Sequence, residues 1–395
     1  MVTTNSLCKL LDIKYPIIQA GMAGQTTAEL VAAVSNAGGL GILGATRMTP
    51  DQILEIIKKI KKNTVKPFGV NLWIGPSIIN NKNKDERSVQ QFLNEKIRKP
   101  LDIPLKPEIS DEKQEFNNTQ NNYQNLPFES KYNEQIKIIL EEDVPVASFA
   151  MGDPVKYIDK FHARRIKVMS MVTNVEDAVI LANNGSDIIM AQGSEAGGHR
   201  SVFNNNENDH DIPLIGTMSL VPQVIDSLKK EIDDKAIPPV VAAGGISGGR
   251  GLVAALALGA SGVAIGTRFL VCKESGAFEG YKKRLLCAKE SDTIVTKAFT
   301  GLPARVLRNR FLDEYTKSNS EYLKWPLQRS ITEDIYFNAQ NKNNTDFYPL
   351  FSGQGLRMLK EGQSAEEIVK EIIDEAKEQV KTLCNAWNID YHLVR

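Results

Sequence analysis

The chain has 395 residues, 42% of them hydrophobic, and its 48 basic side chains balance 48 acidic ones. That is enough apolar material for one oversized domain or two ordinary ones, and the neutral balance gives no electrostatic case for nucleic acid or an anionic membrane surface. No apolar run reaches membrane-spanning length, and the four cysteines are too scattered for a disulfide framework or a zinc site.

The opening MVTTNSLCKLLDIKYP lacks a basic segment followed by a long apolar one, so no signal peptide is expected and a cytoplasmic location is. From there short apolar runs alternate with helical patterns. Residues 15–20 (YPIIQA) read as a first strand, and 26–36 (TTAELVAAVSN) as a helix with a threonine cap. Then come a strand at 40–44, a helix over 49–62 with Pro50 at its first position, and a strand at 68–74. Residues 80–133 break the rhythm. They are rich in Asn, Lys, Glu and Gln, which predicts a solvent-exposed insertion too polar to sustain a core. The alternation resumes with strands at 144–149, 167–172, 187–190, 239–243 and 262–265. Helices are expected between or after them at 153–165, 174–183, 219–232 and 248–258.

Eight such runs, apolar nearly throughout, predict strands buried on both faces of a parallel sheet. The count favours a closed (β/α)8 TIM barrel over an open doubly wound sheet. Residues 1–274 are the expected barrel, and 275–395 a mostly helical C-terminal region. Within it 364–385 has helical apolar spacing suited to packing on the barrel exterior.

In a TIM barrel the chemistry sits at the C-terminal ends of the strands. Gly244-Gly245 follows the seventh run and Gly266-Thr267 the eighth. Bare backbone N–H groups at adjacent strand ends, each leading into a helix N-terminus, make a phosphate cradle. The sixth run ends in MAQGSEAGGHR (190–200), where small residues allow a sharp turn over a flat ligand and place His199 at the mouth. Glu195 is expected to cap a backbone N–H, whereas His162, His210 and His392 are expected to be structural. No GxSxG elbow, metal-ligand spacing or GxGxxG fingerprint occurs.

The blocks YPIIQAGMAG, AGGLGILGA, PFGVNL, AQGSEAGGHR, PVVAAGGISGGRG and GTRFL, with TKAFTGLPARVLRNRF and FSGQGLR further on, resemble those of the nitronate monooxygenase family in order and over most of the chain. The resemblance implies a TIM-barrel flavoprotein binding FMN non-covalently and oxidising alkyl nitronates, propionate 3-nitronate among them, with O2. It implies Met22, Asn71, Gln192 and Gly197 near the flavin, and Ala264, Ile265, Gly266 and Thr267 with Gly244 and Gly245 toward the phosphate. His199 matches the family's active-site histidine, as base or as hydrogen-bond partner of the nitronate. The expected partners are a small nitronate and O2, with no nucleic acid or membrane, in a monomer or homodimer. FMN-dependent enoyl-acyl-carrier-protein reductases carry a similar EAGGH block and are the alternative. A flavin-storing or sensing protein is a third reading, which the histidine and the open glycine mouth argue against.

Overall fold

A computed structural model describes residues 5–75, 86–107, 128–201, 213–233 and 237–389. His210, His392 and the Asn-rich tracts at 80–85 and 117–125 lie outside the described residues.

Eight parallel strands close into a barrel: β1 (Ile17–Gln19), β2 (Leu40–Gly44), β3 (Phe68–Trp73), β4 (Val146–Ala150), β5 (Lys167–Val172), β6 (Ile188–Gln192), β8 (Val240–Ala243) and β9 (Gly262–Ile265). Pairing of β1 with β9, Ile18 opposite Ala264, closes the ring. Side chains alternate across each strand. Ile18, Met190, Val241, Ala243 and Ala264 fill the barrel interior, while Ile17, Ile189, Ala191, Val240, Val263 and Ile265 pack against the outer helices. Both faces are therefore covered, which is why the runs are mainly apolar; the polar Gln19, Asn71, Ser148, Ser170 and Gln192 within them are themselves buried. A short helix not expected from the sequence, Ser6–Leu11, is capped by Asn5 and sends Leu7, Cys8 and Leu11 into the interior cluster. The predicted threonine cap forms at Thr27, and Thr49 and Asn174 likewise each accept a backbone N–H at the helix they begin. No helix among the described residues is long and apolar enough to cross a membrane.

One expectation needs correction and another is extended. The C-terminal region is mostly helical, as expected, and carries two short strands as well. Here β10 (Thr293–Thr296) pairs antiparallel with β11 (Ala304–Leu307), and β11 pairs with β7 (Gly198–His199), giving a three-stranded sheet. Part of the insertion is also core. Its helical stretch over 86–101 buries Val89, Leu93 and Ile97 completely against Tyr281, Phe311, Ile331 and Tyr336 of the C-terminal region. Within this stretch the fully buried Arg98 guanidinium is paired with Asp334 at 2.8 Å. Four-residue spacing puts Leu93 and Ile97 on one face, so a few apolar residues suffice amid a polar composition. Leu93→Ala should therefore cost about 2–5 kcal/mol, visible as a lowered denaturation midpoint; an unchanged midpoint would show the stretch to be peripheral.

The helix Ala365–Ala386 behaves as expected. A capping box of Ser364 and Glu367 starts it. Its buried Ile368, Val369 and Ile372 share a cluster with Leu252 and Ala255 of the barrel helix Gly249–Ala257. At Gly249 a Cβ would lie 2.2 Å from the backbone N of Ala376, so this close helix approach needs glycine.

Candidate active site

A pocket opens where the barrel strands end. Its wall includes Met22, Asn71, Gln192, Gly197, His199, Gly244, Gly245, Ala264, Gly266 and Thr267. Of the cofactor and catalytic residues expected from the sequence, Ile265 alone is not in that wall, because its side chain points to the helix layer. The C-terminal region contributes the far wall through Tyr281, Arg329, Phe351 and Gly353.

Gly244 and Gly245 have φ of +111° and +71°, conformations L side chains rarely adopt. A Cβ at Gly244 would come within 3.0 Å of both the Gly193 carbonyl and Thr217 Oγ1. Gly266 precedes the short helix Thr267–Leu270, which no side chain caps. Bare backbone from two adjacent strands thus faces one pocket. These residues fit a bound phosphate, and the apolar Met22, Met171, Met190 and Ala264 in the same wall fit an aromatic ring system.

The segment carrying His199 is locked from both sides. Gln192 donates from its side-chain N to the His199 carbonyl at 3.0 Å and accepts the Ser201 N–H. Arg200, buried, donates to the carbonyls of Gln192 and Gly193. Burial, reinforced by nearby Arg305, lowers its pKa to about 10, which still leaves it charged at neutral pH. Glu195 accepts both the backbone N–H and the hydroxyl of Thr217, the capping role expected for it. Gly197 lets the chain pass the 352–353 backbone, since a Cβ there would sit 2.5 Å from the Gly353 N. Asn71 is buried and donates to Ser148 Oγ at 3.1 Å. Gln192 is therefore as much a clamp on this loop as a wall of the pocket.

His199 meets Trp73 edge-on at 4.6 Å between centroids and Phe351 at 5.2 Å. Its Nε2 lies 2.9 Å from Thr300 Oγ1. Burial, then the charges of Arg47 and Arg329, push its pKa down to about 3, so the ring is neutral at physiological pH. Arg329 is paired with Glu333 at 2.8 Å. Arg47 has no carboxylate partner among the described residues and stands over the Tyr336 ring. A neutral imidazole beside two guanidiniums, one uncompensated, suits an anion. His162, by contrast, takes a structural part in a 2.9 Å contact with Asp187.

Sequence reasoning missed Arg47, Trp73, Arg329, Phe351 and Thr300. Arg47 and Trp73 lie at or just after the ends of β2 and β3, where the strand-end rule pointed. Arg329, Phe351 and Thr300 carried no such signal.

Comparison with known proteins agrees with this geometry. Residues 4–375 match the family model described as nitronate monooxygenase. A probable nitronate monooxygenase of Staphylococcus saprophyticus is 40% identical over 370 residues, covering 93% of this chain and 96% of that protein. Among solved structures, nitroalkane oxidase from Streptomyces ansochromogenes is 31% identical with a TM-score of 0.81, covering 95% of this chain and 99% of its own. FabK from Thermotoga maritima is 30% identical with a TM-score of 0.73, covering 98% and 100%.

Proposed function

Since the chain belongs to the nitronate monooxygenase family of oxidoreductases, we propose that it binds FMN in the barrel mouth and oxidises alkyl nitronates with O2, propionate 3-nitronate among them. The observation that carries this reading is one pocket that combines a bare-glycine cradle, a neutral histidine and Arg47, which has no carboxylate partner among the described residues. FMN, when bound, supplies the electron-transfer and oxygen chemistry.

The protein's part is binding and orientation. Gly244, Gly245, Gly266 and Thr267 would hold the phosphate through backbone N–H groups. Met22, Asn71, Gln192, Gly197 and Ala264 would wall the rest of the cofactor, and Ile265 would serve through its backbone. Arg47 and Arg329 attract the anionic substrate toward His199. Trp73 and Phe351 hold the imidazole and exclude water around it.

Purified protein should release FMN on denaturation and consume O2 with propionate 3-nitronate, while oxidising NADH negligibly with a crotonyl thioester. The reverse pattern would favour an enoyl reductase. Release of FAD, or failure to take up any flavin, would overturn the cofactor assignment.

Arg47 should show its role through substrate charge. Arg47→Met should raise KM for propionate 3-nitronate roughly 10- to 100-fold, the scale of about 1.5–3 kcal/mol for a hydrogen bond to a charged group. A nitronate with a neutral alkyl tail should lose less. Equal losses for both substrates would place Arg47 on the nitronate end; no loss for either would remove it from the site.

A further inference from the structure

Three polar contacts converge on the Thr300 hydroxyl, which has one proton to give. Its Oγ1 lies 2.9 Å from His199 Nε2, 3.3 Å from the Leu302 N and 3.3 Å from the Leu302 carbonyl oxygen. The Leu302 N–H donates to Oγ1. The Leu302 carbonyl can only accept, so the hydroxyl proton belongs to it. No backbone N–H among the described residues donates to that carbonyl. All three contacts are hydrogen bonds together only if Nε2 carries the ring proton and donates it to Oγ1. Giving the hydroxyl proton to Nε2 instead would leave a buried carbonyl unpaired, at a cost that normally exceeds the gain.

The geometry is built to hold. Thr300 is buried and lies in the turn joining β10 to β11, and β11 pairs with β7 at Ala304 and His199. One small sheet therefore carries both partners. Trp73 and Phe351 restrain the ring between them. Nδ1 has no protein partner among the described residues, and His199 lines the pocket.

We propose that Thr300 is a positioning residue that holds His199 as its Nε2–H tautomer, so that the Nδ1 lone pair faces the substrate as a proton acceptor. The inference rests on the nitronate reading above and deepens it: neutral nitroalkanes become substrates too. The Cα proton passes to Nδ1, the C–H electron pair becomes the C=N π bond, the N=O π pair moves onto oxygen to give the nitronate anion, and the ring becomes imidazolium. No oxidant is required for this step. The low basicity of the ring is offset as the reaction proceeds, because an anion forms beside it. Arg329, which disfavours imidazolium, stabilises that anion.

The test uses full-length, FMN-reconstituted protein labelled with 15N-histidine. Long-range proton–nitrogen correlation distinguishes the two tautomers, and among the chain's four histidines the His199 signal is the one lost in His199→Asn. Wild type should show Nε2 protonated and Nδ1 bare. Thr300→Ser should keep that pattern, and Thr300→Val should mix or reverse it. Nitroethane turnover should fall at least about 10-fold in Thr300→Val and recover in Thr300→Ser, while ethylnitronate turnover changes by less than about threefold. A wild-type protein protonated at Nδ1, or a Thr300→Val protein with an unchanged tautomer, overturns the assignment. If Thr300→Val does not fold, the wild-type and Thr300→Ser spectra still decide it. Oxidation of ethylnitronate without any of nitroethane overturns the acceptor role. A wild type inert to both overturns the nitronate reading instead, and the spectra still judge Thr300.

Discussion

Gly266→Asp should fold and bind no FMN. The backbone at Gly266 has a φ of −106°, which aspartate adopts without strain, and its Cβ would meet nothing closer than Met22 Sδ at 3.7 Å. The fold therefore has no reason to fail. The carboxylate, however, arrives at the uncapped start of the Thr267–Leu270 helix. There it would take the backbone N–H groups that the phosphate needs and add a like charge. Two unit charges about 4 Å apart near a protein surface repel by about 4 kcal/mol, on the order of 10³ in Kd. A flavin-to-protein ratio near zero, with an unchanged circular dichroism spectrum, is the expected result. Full flavin content would move the phosphate elsewhere.

His199→Asn should have the opposite signature. Flavin should stay bound, because the cradle belongs to β8 and β9 and not to β7. Asparagine keeps a small polar side chain but cannot take a proton. Turnover of a neutral nitroalkane should fall by about 10²–10⁴, the scale of a positioned base. Turnover of the matching nitronate, already deprotonated, should fall far less, because the bare Nδ1 has no proton to take from it and none to donate to it. Steady-state rates on both substrates, with flavin content measured on the same samples, separate the two. Equal large losses would make His199 a binding partner of the nitronate itself. A His199→Asn protein without flavin would show that the β7 segment, not the glycine pair alone, holds the cofactor.

These expectations rest on features that were not equally visible in the sequence. The eight barrel strands were legible because burial on both faces leaves apolar runs with no polar alternation. The place of the glycine pairs in the pocket was legible because Gly244-Gly245 and Gly266-Thr267 each follow a strand directly, so local order implies position. Ile265 shows where that logic was applied too loosely. It neighbours Ala264 and Gly266, but alternate residues of a strand face opposite ways, and Ala264 is the one that looks inward. The sheet over the mouth was not legible. β7 has two residues, and its partner β11 begins more than 100 residues later, so no local periodicity announces it. For the same reason Thr300, Arg329 and Phe351 had no signal tying them to His199. In the insertion, composition concealed spacing: Leu93 and Ile97 are too few to register in a polar segment, yet both are fully buried.

The central claim is that this pocket holds FMN and that a nitronate, not a nicotinamide, reduces it. The most direct measurement follows the visible absorbance of the FMN-loaded protein under anaerobic conditions. Added propionate 3-nitronate should bleach the flavin band, and admitted O2 should restore it, while NADH leaves the band unchanged over the same time. Bleaching by NADH with recovery on adding a crotonyl thioester, and no response to the nitronate, would contradict the claim.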